Sequence, residues 1–163
     1  MVLWFAGMSF VAVWLIFRSP AVDYRLVMVG SLLPLAELPF GHPRMLHSLT
    51  GSVVLLVLAM LLTPRRRLVQ RRLVALPIGV FLHLVLDGAW ANTTAFWWPL
   101  SGWSWSDAEL PELARGAALG GLMEVAGAVA LWWCWRSFGL ADPERRARFW
   151  RSGQLDRAVA GRL

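Results

Sequence analysis

Residues 73–90 read LVALPIGVFLHLVLDGAW, an apolar run with no formal charge before Asp87. A helix crossing a bilayer needs roughly 20 apolar residues, with a range of about 17–25. This stretch is therefore long enough to span, yet it carries His83 and Asp87 near one end. A spacing of four on a helix puts both side chains on one face, one turn apart. Ionisable groups at that depth are costly, so they pair with another group or serve a site. A nitrogen and an oxygen donor one turn apart are also what a zinc ion takes from a helix.

Four further apolar segments flank this one: Val2–Phe17, Leu26–Phe40, Met45–Thr63 and Leu113–Trp135. Leu26–Phe40 contains Pro34 and Pro39, which predict a kinked or re-entrant helix. The composition agrees: 58% of the 163 residues are hydrophobic, 16% are charged, and mean hydropathy is +0.55. A soluble domain carries about 25% charge and 45–50% apolar residues. The expectation is an all-α integral membrane bundle over residues 1–136, with about five transmembrane helices. Four crossings plus a re-entrant Leu26–Phe40 is the alternative. A secretory leader is not expected, because the first basic residue, Arg18, follows the first apolar run instead of preceding it.

All sixteen basic residues are arginine, and the formal net charge is +6. Five lie within residues 63–72, seven follow Trp135, and Arg18 and Arg25 sit between the first two segments. The loop at 91–112 has none, and carries Asp107, Glu109 and Glu112 instead. Arginine-rich loops stay in the cytoplasm. Five crossings put all three rich regions on that side, so the predicted C-terminus is cytoplasmic and the protein sits in the cytoplasmic (inner) membrane. Topology thus accounts for the basicity, and nucleic acid is not an expected partner. Membrane lipids are. In the tail, residues 137–163, Asp142-Pro143-Glu144 opens a basic helix. Ala147, Trp150, Leu155 and Val159 recur there at roughly helical spacing, predicting an amphipathic element on the inner leaflet.

The same topology puts the ends of three segments in one outer layer. That layer holds Glu37, His42 and His47 together with His83 and Asp87. Imidazole and carboxylate donors from three helices suit a divalent metal ion, zinc first among them. Arg44 and Ser48 stand beside them as residues that could orient a ligand or hold an anionic substrate group. The loop above is rich in tryptophan (Trp90, Trp97, Trp98, Trp103, Trp105), as an interfacial belt or a lid over a pocket would be. Glu124, alone in the middle of Leu113–Trp135, is a secondary candidate, through a pairing with Arg115 or a histidine or by reaching the metal layer. Cys134, the single cysteine, reads as a packed thiol.

His42-x4-His47-Ser48 followed by His83-x3-Asp87 resembles the signature of the membrane-bound metal-dependent hydrolases, a family also called DUF457. Its usual form is Leu-Pro-Asp-x-Asp, then His-Arg-x-x-Thr-His-Ser, then His-x3-Asp one helix later. The resemblance covers roughly residues 26–102. It implies a helical membrane bundle and metal-dependent hydrolysis, with Glu37 or Asp87 as general base, on a substrate that reaches the outer face, such as a lipid-linked compound or phosphoester. This chain departs from the pattern at Leu35, which stands where the family has its first acid. Glu37 takes the place of the second acid, Leu46 replaces the threonine, and Pro43 replaces the arginine. With one carboxylate fewer, a single ion is expected. The other reading is a non-enzymatic membrane protein whose His and acid cluster is structural or sensory, with a basic tail that binds lipid or a partner.

Overall fold

The computed structural model describes residues 1–160, with side chains through Ala158. Among these residues the chain is all helical, without a strand. The helices are α1 (Val2–Phe17), α2 (Tyr24–Leu32), α3 (Leu49–Leu61), α4 (Arg67–Leu73), α5 (Ala75–Asp87), α6 (Thr93–Phe96), α7 (Pro111–Ala114), α8 (Gly116–Ser137), α9 (Pro143–Ser152) and α10 (Arg157–Ala160). Two have the length and apolar character to cross a membrane: the near-continuous Arg67–Asp87, of 21 residues, and α8, of 22. The helices α1 and α3 are apolar but shorter, at 16 and 13 residues.

Each boundary has a local cause. Asp23 accepts a hydrogen bond from the Leu26 amide and starts α2. Proline at 34 has no N–H to donate, so α-helix stops at Leu32 and residues 33–40 continue as a tighter 3-10 helix. The predicted break in Leu26–Phe40 therefore comes at its middle. Ser48 caps α3 through the Gly51 amide at 3.0 Å. Gly88, at φ 71°, ends α5 one residue after Asp87.

Two close approaches tie the bundle together. Helices α2 and α5 cross at Gly30 and Gly79. A Cβ on Gly30 would overlap the Leu76 carbonyl, and one on Gly79 would overlap that of Val27. Helices α1 and α8 run side by side in the same direction, with Gly7 against Gly127 at one end and Trp14 against Phe138 at the other. Small residues at such crossings let backbones pack where no hydrophobic drive separates helix from lipid. The core between them gathers Phe10, Val13, Trp14, Tyr24, Val27 and Phe138, and Cys134 is buried among them.

The tail folds back onto this core. Asp142 caps α9 through the amides of Glu144 and Arg145, as the sequence predicts, and those two hydrogen bonds hold its carboxyl below the usual range. The buried anchors are Phe149 and Leu155, whereas Trp150 is 63% exposed and Ala147 is exposed too. The Tyr24 amide donates to the Gly153 carbonyl at 2.9 Å, and the Leu155 amide to that of Pro20 at 3.0 Å. The face predicted from Ala147 and Trp150 is thus turned outward. Arg162 and the side chain of Val159 lie outside the described residues.

Candidate metal centre

His83 projects from the last turns of α5, fully buried, with the Phe5 ring stacked on it at 3.9 Å between centroids. Its Nδ1 lies 2.7 Å from the Ser31 carbonyl oxygen on α2. A carbonyl can only accept, so Nδ1 carries the proton and Nε2 is the atom turned to the cluster. His47 sits in the 3-10 turn Met45–His47 just before α3, also buried. Its Nδ1 donates to Glu37 Oε2 at 2.8 Å, which leaves its Nε2 facing the same way. The two rings meet edge to face at 5.2 Å. Each imidazole is therefore oriented from behind by an acceptor, and both Nε2 atoms converge.

They converge on Glu112. Its Oε1 lies 3.0 Å from His83 Nε2 and 3.3 Å from His47 Nε2. Asp87 completes a group of four whose donor atoms all lie within 4.8 Å of one another. Arg115, at the start of α8, donates to Asp87 Oδ1 at 2.7 Å and also to the Asp87 backbone carbonyl. The other oxygens, Asp87 Oδ2 and Glu112 Oε2, are buried without a hydrogen-bond partner. Buried carboxylate oxygens lacking a donor are costly. Without an ion, and with both nitrogens of each ring protonated, hydrogen bonds from His47 and His83 Nε2 outweigh the effect of burial and hold the Glu112 carboxyl well below the usual carboxylate range.

Charge points the same way. With neutral imidazoles, Glu37, Asp87 and Glu112 set against Arg115 leave a net of two negative charges in a largely buried site. One divalent cation would balance them. The orphaned oxygens, the converging Nε2 atoms and this excess charge all fit such an ion. Two imidazoles and two carboxylates are a donor set that zinc accepts.

Of the residues expected from sequence, His47, His83 and Asp87 come together. Glu37 stands one layer behind: Oε1 accepts from the Leu46 amide, and Oε2 from the Arg44 amide as well as from His47. His42 is half-buried in the turn 41–44, outside the group of four. Arg44 stacks over the Phe40 ring at 3.9 Å, with its Nε buried and unpartnered. Ser48 is occupied as the α3 cap. Glu124 instead pairs with the Met1 amino group at 2.8 Å and accepts from the Leu3 amide. Arg115, suggested as its partner, is held by Asp87.

Glu112 was not among the expected site residues. Its signal was present: an acid at the first turn of a helix, in the loop assigned to the same side as His47, His83 and Asp87. That loop folds onto the site, with Leu110 fully buried and its amide donating to the Gly41 carbonyl at 3.3 Å.

A family model described as YdjM inner membrane protein matches residues 6–140. The chain belongs to the YdjM inner membrane protein family. All four residues of the group lie inside the matched region, which ends before the Asp142 cap. The family description assigns membrane location but no hydrolysis. No curated protein and no solved structure matches the chain.

Proposed function

We propose that this member of the family is a membrane-embedded, metal-dependent hydrolase working at the extracytoplasmic face. The observation that carries the reading is the convergence of two imidazole Nε2 atoms, each fixed from behind through Nδ1, on carboxylates with orphaned oxygens. Carboxylate- or carbonyl-backed histidines are the usual support of a bound metal. His47 and His83 would hold the ion through Nε2, and Asp87 and Glu112 through carboxylate oxygens. An ion there, zinc by its donor set, supplies Lewis acidity and an activated water.

The chain's own groups then divide the remaining work. Glu37, with both oxygens engaged, keeps the His47 ring in its tautomer and angle. Arg115 fixes Asp87 and screens it from Glu112. Whichever of Asp87 and Glu112 keeps a carboxylate oxygen off the ion would take a proton from water and return it to the leaving group. The arginine distribution supports five crossings with the C-terminus in the cytoplasm, which turns the cluster outward. Under that orientation a periplasmic-only reporter is active after Gly102 and silent at the C-terminus.

A second reading rests on one observation: the Glu112 contacts also close if both imidazoles are protonated, as a structural or sensory cluster would be. The discriminating experiment is turnover by detergent-purified protein against a panel of esters, amides and phosphoesters. Hydrolysis that chelator abolishes, zinc restores and His83→Ala lacks supports the enzyme. Zinc-loaded protein inert across the panel supports the other reading.

A further inference from the structure

Beside the cluster lies an open cleft of about 700 Å³, bounded by Asp87 at the end of α5, by α6, and by residues 106–114. Its polar lining is Asn92, Thr93, Thr94, Ser106 and Glu109, together with Asp87. None of these is basic. From Gly88 to Ala114 the chain contains no arginine or lysine, and Asp107, Glu109 and Glu112 are its charges. Arg115, the guanidinium in contact with the cluster, is bound to Asp87 and does not line the cleft. Arg44 lies on Phe40 and does not line it either. The chain neighbour of Ser106, Trp105, stacks with Trp98 at 4.3 Å between centroids, and Trp103 nearby is 83% exposed.

Recognition of a phosphate dianion uses arginine, lysine or converging backbone donors, since the charge must be met as it loses water. A dianion reaching the ion through this cleft would pass Glu109 with no arginine or lysine in the lining to offset it. The hydroxyls of Thr93 and Thr94, with no cation in the lining, suit an uncharged, hydroxyl- or amide-bearing group.

Resting on the hydrolase reading above, we infer that the cleft takes a neutral acyl substrate, a carboxylic ester or amide on a polar headgroup, in preference to a phosphate ester. The reaction is ordinary hydrolysis. The water oxygen bonds to the carbonyl carbon, and the bond from that carbon to the ester oxygen or amide nitrogen breaks. The proton released by water passes to the departing oxygen or nitrogen. No electrons are exchanged and no co-reactant is needed.

The test uses the full chain in detergent, loaded with zinc, and reads tryptophan fluorescence and turnover in parallel. N-acetylglucosamine serves as the neutral probe, and glucose 6-phosphate and inorganic phosphate as the anionic ones. The neutral probe is expected to perturb the fluorescence at concentrations about tenfold lower than either anion. Among chromogenic substrates, para-nitrophenyl acetate is expected to exceed para-nitrophenyl phosphate in kcat/KM by about tenfold or more. Thr94→Arg, on an exposed cleft position, should invert the binding preference while leaving zinc content unchanged. Anions bound as well as or better than the neutral probe, or no response to any probe, would overturn the inference whatever the turnover. Absence of turnover with the binding preference intact would count against the hydrolase reading and leave the cleft's preference standing.

Discussion

The Nδ1 proton of His83 is given to the backbone carbonyl of Ser31, 52 residues earlier in the chain, at 2.7 Å. That one hydrogen bond joins α5 to α2 and decides which nitrogen faces the cluster. It exists because Gly30 and Gly79 let the two backbones meet. Gly79→Ala should therefore act at a distance from any metal donor. Forcing a methyl group into this crossing costs about 1–3 kcal/mol. The expected result is a lower thermal midpoint together with weakened zinc affinity, measured by competition with a chromophoric chelator.

Glu37 and His47 allow a different separation. Removing the carboxylate that backs a metal-bound histidine costs about 10–100-fold in affinity. Glu37→Gln is expected to fall in that range with the protein still inserted, whereas His47→Ala loses binding almost wholly. Equal losses in the two variants would make Glu37 a direct ligand.

Much of this site is legible in the sequence. His47, His83 and Asp87 stood out because polar groups in apolar runs demand partners, and the arginine count alone put them on one side. Glu112 was hidden for the opposite reason. It lies in a polar loop where an acid is unremarkable, and only the folding of residues 106–114 over Asp87 buries it. Phe149 was hidden by its arginine neighbours, which made the helix look like a surface element with Trp150 as its apolar contact. Glu124, an acid alone in an apolar run, has the Met1 amino group as its partner, where the sequence suggested Arg115 or a histidine. Helix α2 ended where Pro34 said it must, though the 3-10 continuation that carries Glu37 to His47 had no sequence signal beyond the two prolines.

Because Glu112 tethers the 91–112 loop to both histidines, its protonation should loosen that loop. Its carboxyl pKa is depressed in the folded state, so its contribution is complete above the unfolded value of about 4.3 and declines as pH falls below it. In chelator-treated protein, the stability difference between wild type and Glu112→Gln should be larger near about pH 6 than near about pH 3, shrinking on acidification. A difference that grows on acidification would contradict the assigned contacts.

Arg115, 18% exposed, pairs with the fully buried side chain of Asp87, and removing the guanidinium strands that carboxylate. Arg115→Ala is expected to cost about 3–5 kcal/mol, and Arg115→Ala with Asp87→Asn to recover much of it. Chemical denaturation in detergent reads both values.

The tail should contribute to the bundle's stability through Phe149 and Gly153. Gly153 has φ 72°, and a Cβ there would overlap the Asp23 carboxylate, the cap of α2. Phe149→Ala should destabilise by about 3–5 kcal/mol. Trp150→Ala, at an exposed position, should change stability by about 0.5 kcal/mol or less.

The central claim, that His47, His83, Asp87 and Glu112 hold a divalent ion, is tested most directly by metal analysis of the purified chain. Protein produced with zinc supplied and freed of loosely bound metal should retain one zinc ion per chain. His83→Ala and Asp87→Ala should each lose most of it while remaining in the membrane fraction. Full occupancy in both variants, or no retained metal in the wild type, would contradict the account.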